Sequence, residues 1–365
     1  MSDERYARHE LIPGWRQSKL RDAVVLIAGV GALGNEVARL LTLAGVGHLV
    51  LCDPDRIETT NLSRTGLFRP DDVGRLKVET AAQALRHLVP GLRVETRPLP
   101  LVNGLGLAEM RDASLVLGCL DSRLARLQLS GRCQLVQIPW IDGGSQPWGG
   151  EVRFFRSNEG ACYGCSLGES GRANLGEPWS CLDKSEEIPI GASAPLSALV
   201  GAWMATLAVR HLMALPCPDG ALVFAGETGR TRNVILDRDP GCPFHAPLPT
   251  PERIKAKASS TVGELRDLLA PGDVPLVWAL VQAYQECGHC GFSRSVWRCP
   301  PRTEACFSCG GMSIPRSTLE LLEAPEAVQL RDLGVAPREI LAVRRRDGLK
   351  HIELSDDLDQ KGASS

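Results

Sequence analysis

A glycine-rich loop near the N-terminus constrains the fold of this 365-residue chain more than any other feature. An apolar run over 24–28 predicts a buried strand, and helical periodicity follows over 35–44. The glycines of the loop have G-x-G-x-x-G spacing and are Gly29, Gly31 and Gly34. A second apolar strand over 48–52 ends at Asp53. Such glycines let the backbone approach a phosphate at a helix N-terminus, and an acid about 20 residues further on suits a ribose. The segment therefore predicts a nucleotide-binding Rossmann unit.

Charged and amide side chains accumulate after the predicted strands of this unit. They are Asp55, Asn61, Arg64, Lys77 and, after a further apolar run over 114–118, Asp121. An NAD dehydrogenase needs no such set, and no histidine or Tyr–Lys pair stands out as its hydride-transfer group. An enzyme that splits ATP at its α-phosphate does need one, because fixed cations and a metal-bound acid stabilise the charge that develops on phosphate oxygens. The pattern therefore favours ATP chemistry.

These motifs together resemble the ubiquitin-activating enzyme superfamily, which includes the activators of sulfur-carrier proteins for thiamin and molybdopterin synthesis. The resemblance covers about residues 4–246 and adds Arg5-Tyr6-x-Arg8, Gln17-x-x-Leu20 and the N-L-x-R and G-R-x-K motifs. It implies an α/β fold with a Rossmann-like, doubly wound, mostly parallel sheet. Ser63 and Thr65 depart from the pattern, because many relatives carry glutamine there.

The resemblance also implies roles for individual side chains. Asp53 would hold the ribose, with Asp55 beside it in the D-x-D motif, and Asp121 would hold Mg²⁺. The triphosphate would be held by Asn61, Arg64 and Lys77. In a symmetric homodimer, Arg8 would reach the phosphates of the neighbouring subunit; the alternative for Arg8 is an ordinary surface charge.

Cys181 lies in a loop rich in glycine, proline, serine and glutamate, before a predicted helix over 195–213. The resemblance implies that this loop crosses over the active site and that its cysteine attacks the acyl adenylate. That chemistry needs an exposed thiolate, and Lys184 is a candidate for lowering the pKa of the thiol. An unreactive loop cysteine is the alternative.

Two sets of residues have metal-ligand spacing. Relatives in the superfamily often carry C-x-x-C twice and bind one structural zinc; the corresponding residues are Cys162, Cys165, Cys242 and His245. Here a histidine replaces the fourth cysteine, which zinc accepts; the alternative is a reduced cysteine pair. A second set has the zinc-ribbon spacing C-x₂-C-x₁₅-C-x₂-C and consists of Cys287, Cys290, Cys306 and Cys309. Four thiolates leave no open position, so this site is predicted to be structural.

Composition shifts predict the domain organisation. An adenylation domain over 1–246 is followed by a Pro-, Lys- and Ser-rich linker over 247–260. A smaller α+β zinc-ribbon domain is predicted over 261–355, and a disordered tail over 356–365. Within the first domain, the apolar run over 135–138 predicts a further strand.

Composition also excludes several classes of protein. A net charge of −2, from 41 basic and 43 acidic residues, with 5% aromatic residues, argues against nucleic-acid or anionic-membrane partners. No apolar run approaches the ~20 residues of a membrane helix, and the charged N-terminus lacks a signal-peptide core. A cytoplasmic location is therefore expected, in which the 13 cysteines are thiols or metal ligands.

The sequence thus predicts an adenylyltransferase that uses ATP, Mg²⁺ and Zn²⁺. It would activate the C-terminal carboxylate of a small ubiquitin-like or sulfur-carrier protein ending in glycine. Cys181 would then accept the acyl group as a thioester, for transfer to a conjugating enzyme or a sulfur donor. The alternatives are adenylation of a small peptide or other carboxylate without a cysteine-linked intermediate, and a binding module built on a degenerate Rossmann unit.

Overall fold

The computed structural model describes residues 4–156, 160–173 and 191–355, which form two compact units. The first unit contains residues 4–101, 110–156, 160–173 and 191–246. The second unit contains residues 102–109 and 247–355. None of the helices that the structure describes is both long and apolar enough to cross a membrane.

Eight strands among the described residues form one sheet in the first unit. They are β1 (Val24–Ala28), β2 (His48–Cys52), β3 (Arg93–Arg97), β4 (Leu115–Gly118), β5 (Trp140–Gln146), β6 (Gly149–Phe155), β7 (Gly220–Ala225) and β8 (Arg230–Val234). Their order is β3-β2-β1-β4-β5-β6-β7-β8, parallel from β3 to β5 and antiparallel from β5 to β8. A 3-2-1-4-5 order of parallel strands is that of a doubly wound sheet, so the predicted fold class is confirmed.

The central strands are apolar and almost completely buried, as expected of parallel strands whose two faces are covered. The α-helices that precede β7 in the described residues are α1 (Gln17–Arg21), α2 (Ala32–Ala44), α3 (Lys77–Leu88), α4 (Leu101–Gly104), α5 (Leu107–Asp112), α6 (Arg123–Val136), α7 (Tyr163–Ala173) and α8 (Ala194–Leu212). In the core, α2 packs against α8, with side chains such as Val37, Leu41 and Met204 fully buried.

The prediction of a strand over 135–138 is wrong, because α6 continues to Val136 and the next strand begins at Trp140. The helix ends where Gln137 adopts a left-handed conformation, with φ of 57°. A short apolar run has no periodicity that separates a strand from a buried helix end. The glycine-rich residues that follow form the β5–β6 hairpin; a Cβ on Gly143 would lie 2.2 Å from the Met204 sulfur, so glycine allows α8 to pack on this hairpin.

The second unit is mostly β-structure with one short α-helix among its residues 247–355. Its strands are β9 (Glu252–Ile254), β10 (Val274–Cys287), β11 (Ser293–Arg298), β12 (Glu304–Ala305), β13 (Met312–Glu320), β14 (Ile340–Arg345) and β15 (Gly348–Leu354). The sheet order is β12-β13-β10-β14-β15-β9, and β11 pairs with β10. Helix α9 (Val262–Asp267) begins with a capping box between Thr261 and Glu264. Its buried face joins a core that includes Leu330, Leu341 and Ile352.

The segment 247–260, predicted as a linker, takes part in the second unit. It contains β9, which pairs in parallel with β15. Beyond β9, Ala256 and Ala258 are buried. Pairing with a strand about 100 residues later has no local sequence signal.

Residues 102–109 also belong to the second unit. Leu105, Leu107 and Ala108 have no exposed surface. The Leu107 N–H donates to the buried Glu339 carboxylate at 3.0 Å, and a Cβ on Gly106 would lie 1.9 Å from the Pro337 carbonyl oxygen. A segment early in the sequence therefore completes the core of the C-terminal unit.

Candidate nucleotide and metal sites

The register of three central strands brings separate sequence motifs to one edge of the first sheet. Ala28 at the end of β1 lies opposite Cys52 of β2 and Gly118 of β4. The residues that directly follow these strand ends are Gly29, Asp53 and Cys119. This is the carboxyl edge of the parallel strands, where ligands of open α/β sheets bind.

The glycine loop packs directly on the end of β4. Gly29 has φ of +89°, and a Cβ there would lie 2.3 Å from the Cys119 carbonyl oxygen. A Cβ on Gly34 would lie 2.0 Å from the Gly29 carbonyl oxygen, so only glycine fits at both positions. Gly31 precedes the first residue of α2 and faces open space. This combination suits an anion at the N-terminus of α2.

Asn35 is a positioning residue that the sequence analysis missed. Its side-chain amide donates to the Val30 carbonyl at 3.0 Å, and its carbonyl oxygen accepts the Leu67 N–H at 3.0 Å. The buried Asn35 thereby ties the glycine loop to the segment that follows Arg64. The sequence feature that indicates this role is its position in the first turn of α2, directly after the last loop glycine.

Asp53 is largely buried, and its carboxylate accepts hydrogen bonds from the glycine loop and from the residues after β2. Oδ2 accepts the Val30 N–H at 2.7 Å, and Oδ1 accepts the Asp55 N–H at 2.8 Å. Burial raises the pKa of Asp53, against the opposing effects of the Lys77 ammonium and the two N–H groups. A carboxylate has about four acceptor sites, so capacity remains for ribose hydroxyls.

Lys77 and Asp55 form an ion pair at the same edge, with 2.7 Å between Nζ and Oδ2. The Lys77 N–H also donates to the Asp55 carbonyl, so the start of α3 is fixed to the residues after β2. These contacts place the ammonium close to Asp53.

Asn61 and Arg64 lie in the turn that follows. Asn61 is buried, and its side-chain oxygen accepts the Glu58 N–H at 3.0 Å. Arg64 is half-buried, and Nη1 donates to the Thr60 carbonyl at 3.1 Å. Both contacts are local, so the residues of this turn stabilise its backbone themselves.

Asp121 is exposed and lies in the short connection between β4 and α6. The next residue, Ser122, caps α6 by accepting the Ala125 N–H at 3.1 Å. Asp121 therefore stands at the N-terminus of a helix on the same edge as the glycine loop.

The three remaining predicted residues are Arg8, Cys181 and Lys184. Arg8 is exposed in the N-terminal segment, so its predicted role toward a neighbouring subunit stays a prediction. Cys181 and Lys184 lie outside the residues that the structure describes.

The first cysteine cluster consists of Cys162, Cys165, Cys242 and His245, whose ligand atoms all lie within 4.8 Å of one another. The Cys162 sulfur is 3.7 Å from that of Cys165 and 3.6 Å from that of Cys242. Tetrahedral zinc with ~2.3 Å bonds to sulfur separates its thiolates by about 3.8 Å. Burial lowers the pKa of His245, which favours the neutral imidazole that a metal requires. The cluster could therefore bind zinc.

The second cysteine cluster consists of Cys287, Cys290, Cys306 and Cys309, again within 4.8 Å of one another. The sulfurs of Cys287 and Cys309 are 3.5 Å apart, and those of Cys290 and Cys306 are 3.7 Å apart. Backbone N–H groups point at two of the sulfurs, from His289 to Cys287 and from Ser308 to Cys306. Such N–H groups stabilise thiolates, so this cluster too could bind zinc.

Comparisons with known proteins agree with this geometry. A family model described as "ThiF family" matches residues 4–244. The molybdopterin-synthase adenylyltransferase of Escherichia coli (strain K12) is 30% identical over 244 residues, covering 65% of this chain and 94% of the relative. Ubiquitin-like modifier-activating enzyme 5 of Drosophila virilis is 32% identical over 162 residues, covering 40% of each chain.

Among solved structures, the crystal structure of Escherichia coli MccB with ATP has a TM-score of 0.56. The two chains are 21% identical over 67% of this chain and 75% of MccB. That likeness shows a shared fold. Residues 247–355 lie beyond the family match.

Proposed function

Since the chain belongs to the ThiF family and is an adenylyltransferase of the ubiquitin-activating type, we propose that it adenylates the C-terminal carboxylate of a small ubiquitin-like or sulfur-carrier protein. The named bacterial relative is an adenylyltransferase for molybdopterin synthase, and the insect relative activates a ubiquitin-like modifier. The superfamily and the enzyme class that the sequence predicted are thereby confirmed.

One observation carries the proposal for the reaction. The register of β1 with β2 and β4 puts the glycine loop, Asp53 and the Asp121 connection on one edge of the sheet. Lys77 reaches the same edge through its ion pair with Asp55. A polyphosphate bound there meets backbone N–H groups, a cation and an acid suited to a metal.

The chemistry follows from that arrangement. A carboxylate oxygen of the carrier attacks the α-phosphorus of ATP, and the bond from that phosphorus to the bridging oxygen breaks, so that pyrophosphate leaves. No general base is needed because the carboxylate is already ionised. Asn61, Arg64 and Lys77 would hold the phosphates, and Asp121 would hold Mg²⁺, whose charge would offset the charge that develops on the phosphate oxygens.

Cys181 completes the proposed sequence. Its thiolate attacks the carbonyl carbon of the acyl adenylate, a C–S bond forms, and AMP leaves with the carbonyl–oxygen bond electrons. The support is the position of Cys181 between α7 and α8, in a segment matched by the family model. The thioester then passes to a conjugating enzyme or a sulfur donor.

We also propose that each cysteine cluster holds one zinc ion in a structural role. The first offers three thiolates and an imidazole, and the second offers four thiolates, so neither leaves a position for substrate. The sulfur–sulfur distances and the N–H groups aimed at the sulfurs support this assignment.

We also propose a homodimer, because the N-terminal segment that contains Arg8 exposes apolar side chains. Arg8 is followed by Leu11, which is 74% exposed, and by Ile12, which is 48% exposed. Adjacent exposed apolar side chains on an N-terminal segment suit a protein contact. In a dimer, Arg8 of one subunit reaches the phosphates bound by the other.

The experiment that tests the reaction is carrier-dependent ATP–pyrophosphate exchange with candidate small β-grasp proteins ending in Gly-Gly. We expect Asp121→Ala to abolish exchange because the metal loses its protein anchor. The matched control is Asp22→Ala, an exposed aspartate that precedes β1 at the opposite, amino edge of the sheet. The control should exchange at the wild-type rate.

Retained exchange in Asp121→Ala would remove Asp121 from the metal role. Exchange that requires a short peptide, and not a folded carrier, would favour the alternative of peptide adenylation. Mass spectrometry of the same reactions tests Cys181: Cys181→Ala should keep exchange and lose the carrier adduct that an added thiol cleaves, and an adduct that survives would exclude Cys181.

A further inference from the structure

Arg126 of α6 joins the connection that contains Asp121 to strand β5 of the first unit. Its Nη2 donates to the carbonyl oxygen of Leu120 at 2.9 Å and to that of Gly143 at 3.1 Å. Leu120 is the residue directly before Asp121, so this guanidinium fixes the β4–α6 connection to β5. The side chain of Arg126 is only 15% exposed, which strengthens its hydrogen bonds.

Asp142 forms an ion pair with the same guanidinium. It lies in β5 opposite Gly118, the last residue of β4, and has no exposed surface. Its Oδ1 is 3.2 Å from Arg126 Nε, yet neither carboxylate oxygen accepts a hydrogen bond among the described residues. A buried carboxylate with so few partners is costly. Its evident contribution is to orient Arg126, because no other acid forms an ion pair with that guanidinium in the described part of the chain.

We propose that Arg126, oriented by Asp142, is a positioning residue that sets the place of the Asp121 carboxylate for Mg²⁺. This inference rests on the proposed role of Asp121. The hydrogen bond to Leu120 acts one residue from the metal anchor, and groups that orient a metal ligand typically affect metal affinity by about 10-fold to 100-fold. The planar fork of arginine can bridge two carbonyl groups and an acid at once, which a lysine ammonium cannot reproduce.

The test compares ATP affinity with and without metal, measured by calorimetry on the full chain with no carrier present. We expect Asp142→Asn and Arg126→Lys each to weaken ATP binding about tenfold in Mg²⁺. Without Mg²⁺, in a buffer that contains no chelator so that zinc is retained, both variants should bind ATP within about twofold of wild type, because the glycine loop and Lys77 are untouched. Zinc content and the thermal midpoint show whether each variant is folded, and Arg126→Lys carries the test if Asp142→Asn does not fold.

The matched control is Asp273→Asn. Asp273 is also a buried aspartate that pairs with an arginine, but it lies in the second unit, where its carboxylate accepts from Arg345 at 2.7 and 2.9 Å. Its Mg²⁺-dependent affinity should equal that of wild type.

Wild-type affinity for ATP with Mg²⁺ in both folded variants would overturn the inference. Equal weakening with and without Mg²⁺ would also overturn it, because that result means a general distortion of the nucleotide site. A wild-type protein that binds ATP equally with and without Mg²⁺ would contradict the proposed role of Asp121 itself, which separates the two failures.

Discussion

The two cysteine clusters have the same number of ligands and similar sulfur spacing, but they differ in where the chain places them. In the first cluster, Cys162 and Cys242 are buried and come from positions 80 residues apart. In the second, Cys290 and Cys309 are exposed, and the four cysteines lie within 23 residues of one another. The first lies almost wholly within the family match of residues 4–244, and the second lies outside it.

This difference predicts different energetic roles. A metal that joins distant segments closes a long loop and is coupled to the folding of everything inside it. The loop closed by the first cluster contains Cys181 and α8, and its knuckle is fixed to α6 because the Tyr163 N–H donates to the Ser130 hydroxyl. The second cluster closes short knuckles and is surrounded by solvent-exposed apolar side chains such as Phe307, 87% exposed. We therefore expect the first cluster to support the nucleotide site and the second to support only its own ribbon.

The largest expected effect is that of removing a ligand from the first cluster. Structural zinc contributes on the order of 10 kcal/mol to folding, as much as the whole stability of a typical domain. Cys162→Ser should therefore unfold the first unit, lose one of two zinc ions and abolish ATP binding; zinc analysis, thermal unfolding and calorimetry measure this.

The control for that variant is Cys217→Ser, since Cys217 is a half-buried thiol of the same unit outside both clusters. It should keep both zinc ions and bind ATP normally. Two zinc ions in Cys162→Ser would show that the first cluster is not a metal site.

A smaller and more local effect is expected in the second cluster. Cys309→Ser should lose one zinc ion and increase hydrogen exchange over 287–313, because the two knuckles depend on the metal. Affinity for ATP with Mg²⁺ should stay within about twofold of wild type. If the affinity for ATP falls as far as in Cys162→Ser, the expected difference between the two clusters is wrong, because the ribbon would then also support nucleotide binding.

The nucleotide site could be predicted from sequence where its signals are local. The strands over 24–28 and 48–52 have the predicted bounds, because apolar runs there are interrupted by glycine and aspartate. The helix predicted over 195–213 is α8, which runs from Ala194 to Leu212. The second cysteine cluster was predicted from its own spacing, whereas the first was predicted because the family resemblance joins the Cys162–Cys165 pair with Cys242 and His245.

What the sequence did not reveal depends on contacts between distant segments. Arg126 and Asp142 meet only because β4 and β5 pair with Gly118 opposite Asp142. Asp142 is followed by two glycines, and aspartate and glycine are both depleted in strands, so the local sequence does not indicate the strand that brings Asp142 to Arg126. The burial of residues 102–109 in the second unit similarly depends on Glu339, more than 200 positions later.

The smallest expected effect concerns two buried aspartates, one in each unit. Burial raises the pKa of Asp142 to about 6, although Arg126 opposes the shift. The folded state therefore keeps a proton that the unfolded state has lost, and stability falls as pH rises from the unfolded pKa of 3.8 through about 6. The total loss is about 3 kcal/mol, of which about half falls between pH 5 and pH 8. Asp142→Asn should not show this loss, so its stability relative to wild type should increase as pH rises. Its affinity for ATP with Mg²⁺ should be lower than that of wild type.

Asp273 of the second unit provides the opposite case. Two hydrogen bonds from Arg345, at 2.7 and 2.9 Å, lower the pKa of Asp273 below its usual value. Its contribution is fully present above the unfolded pKa of 3.8 and is lost only as pH falls below that value, so Asp273→Asn should be less stable than wild type by the same amount at pH 5 and pH 8. Urea unfolding of wild type and both variants at pH 5 and pH 8 measures the two differences in stability. A difference between Asp142→Asn and wild type that does not change with pH would mean that Asp142 is as well paired as Asp273, and Asp142 would then be an ordinary ion pair and not a costly support for the Asp121 connection.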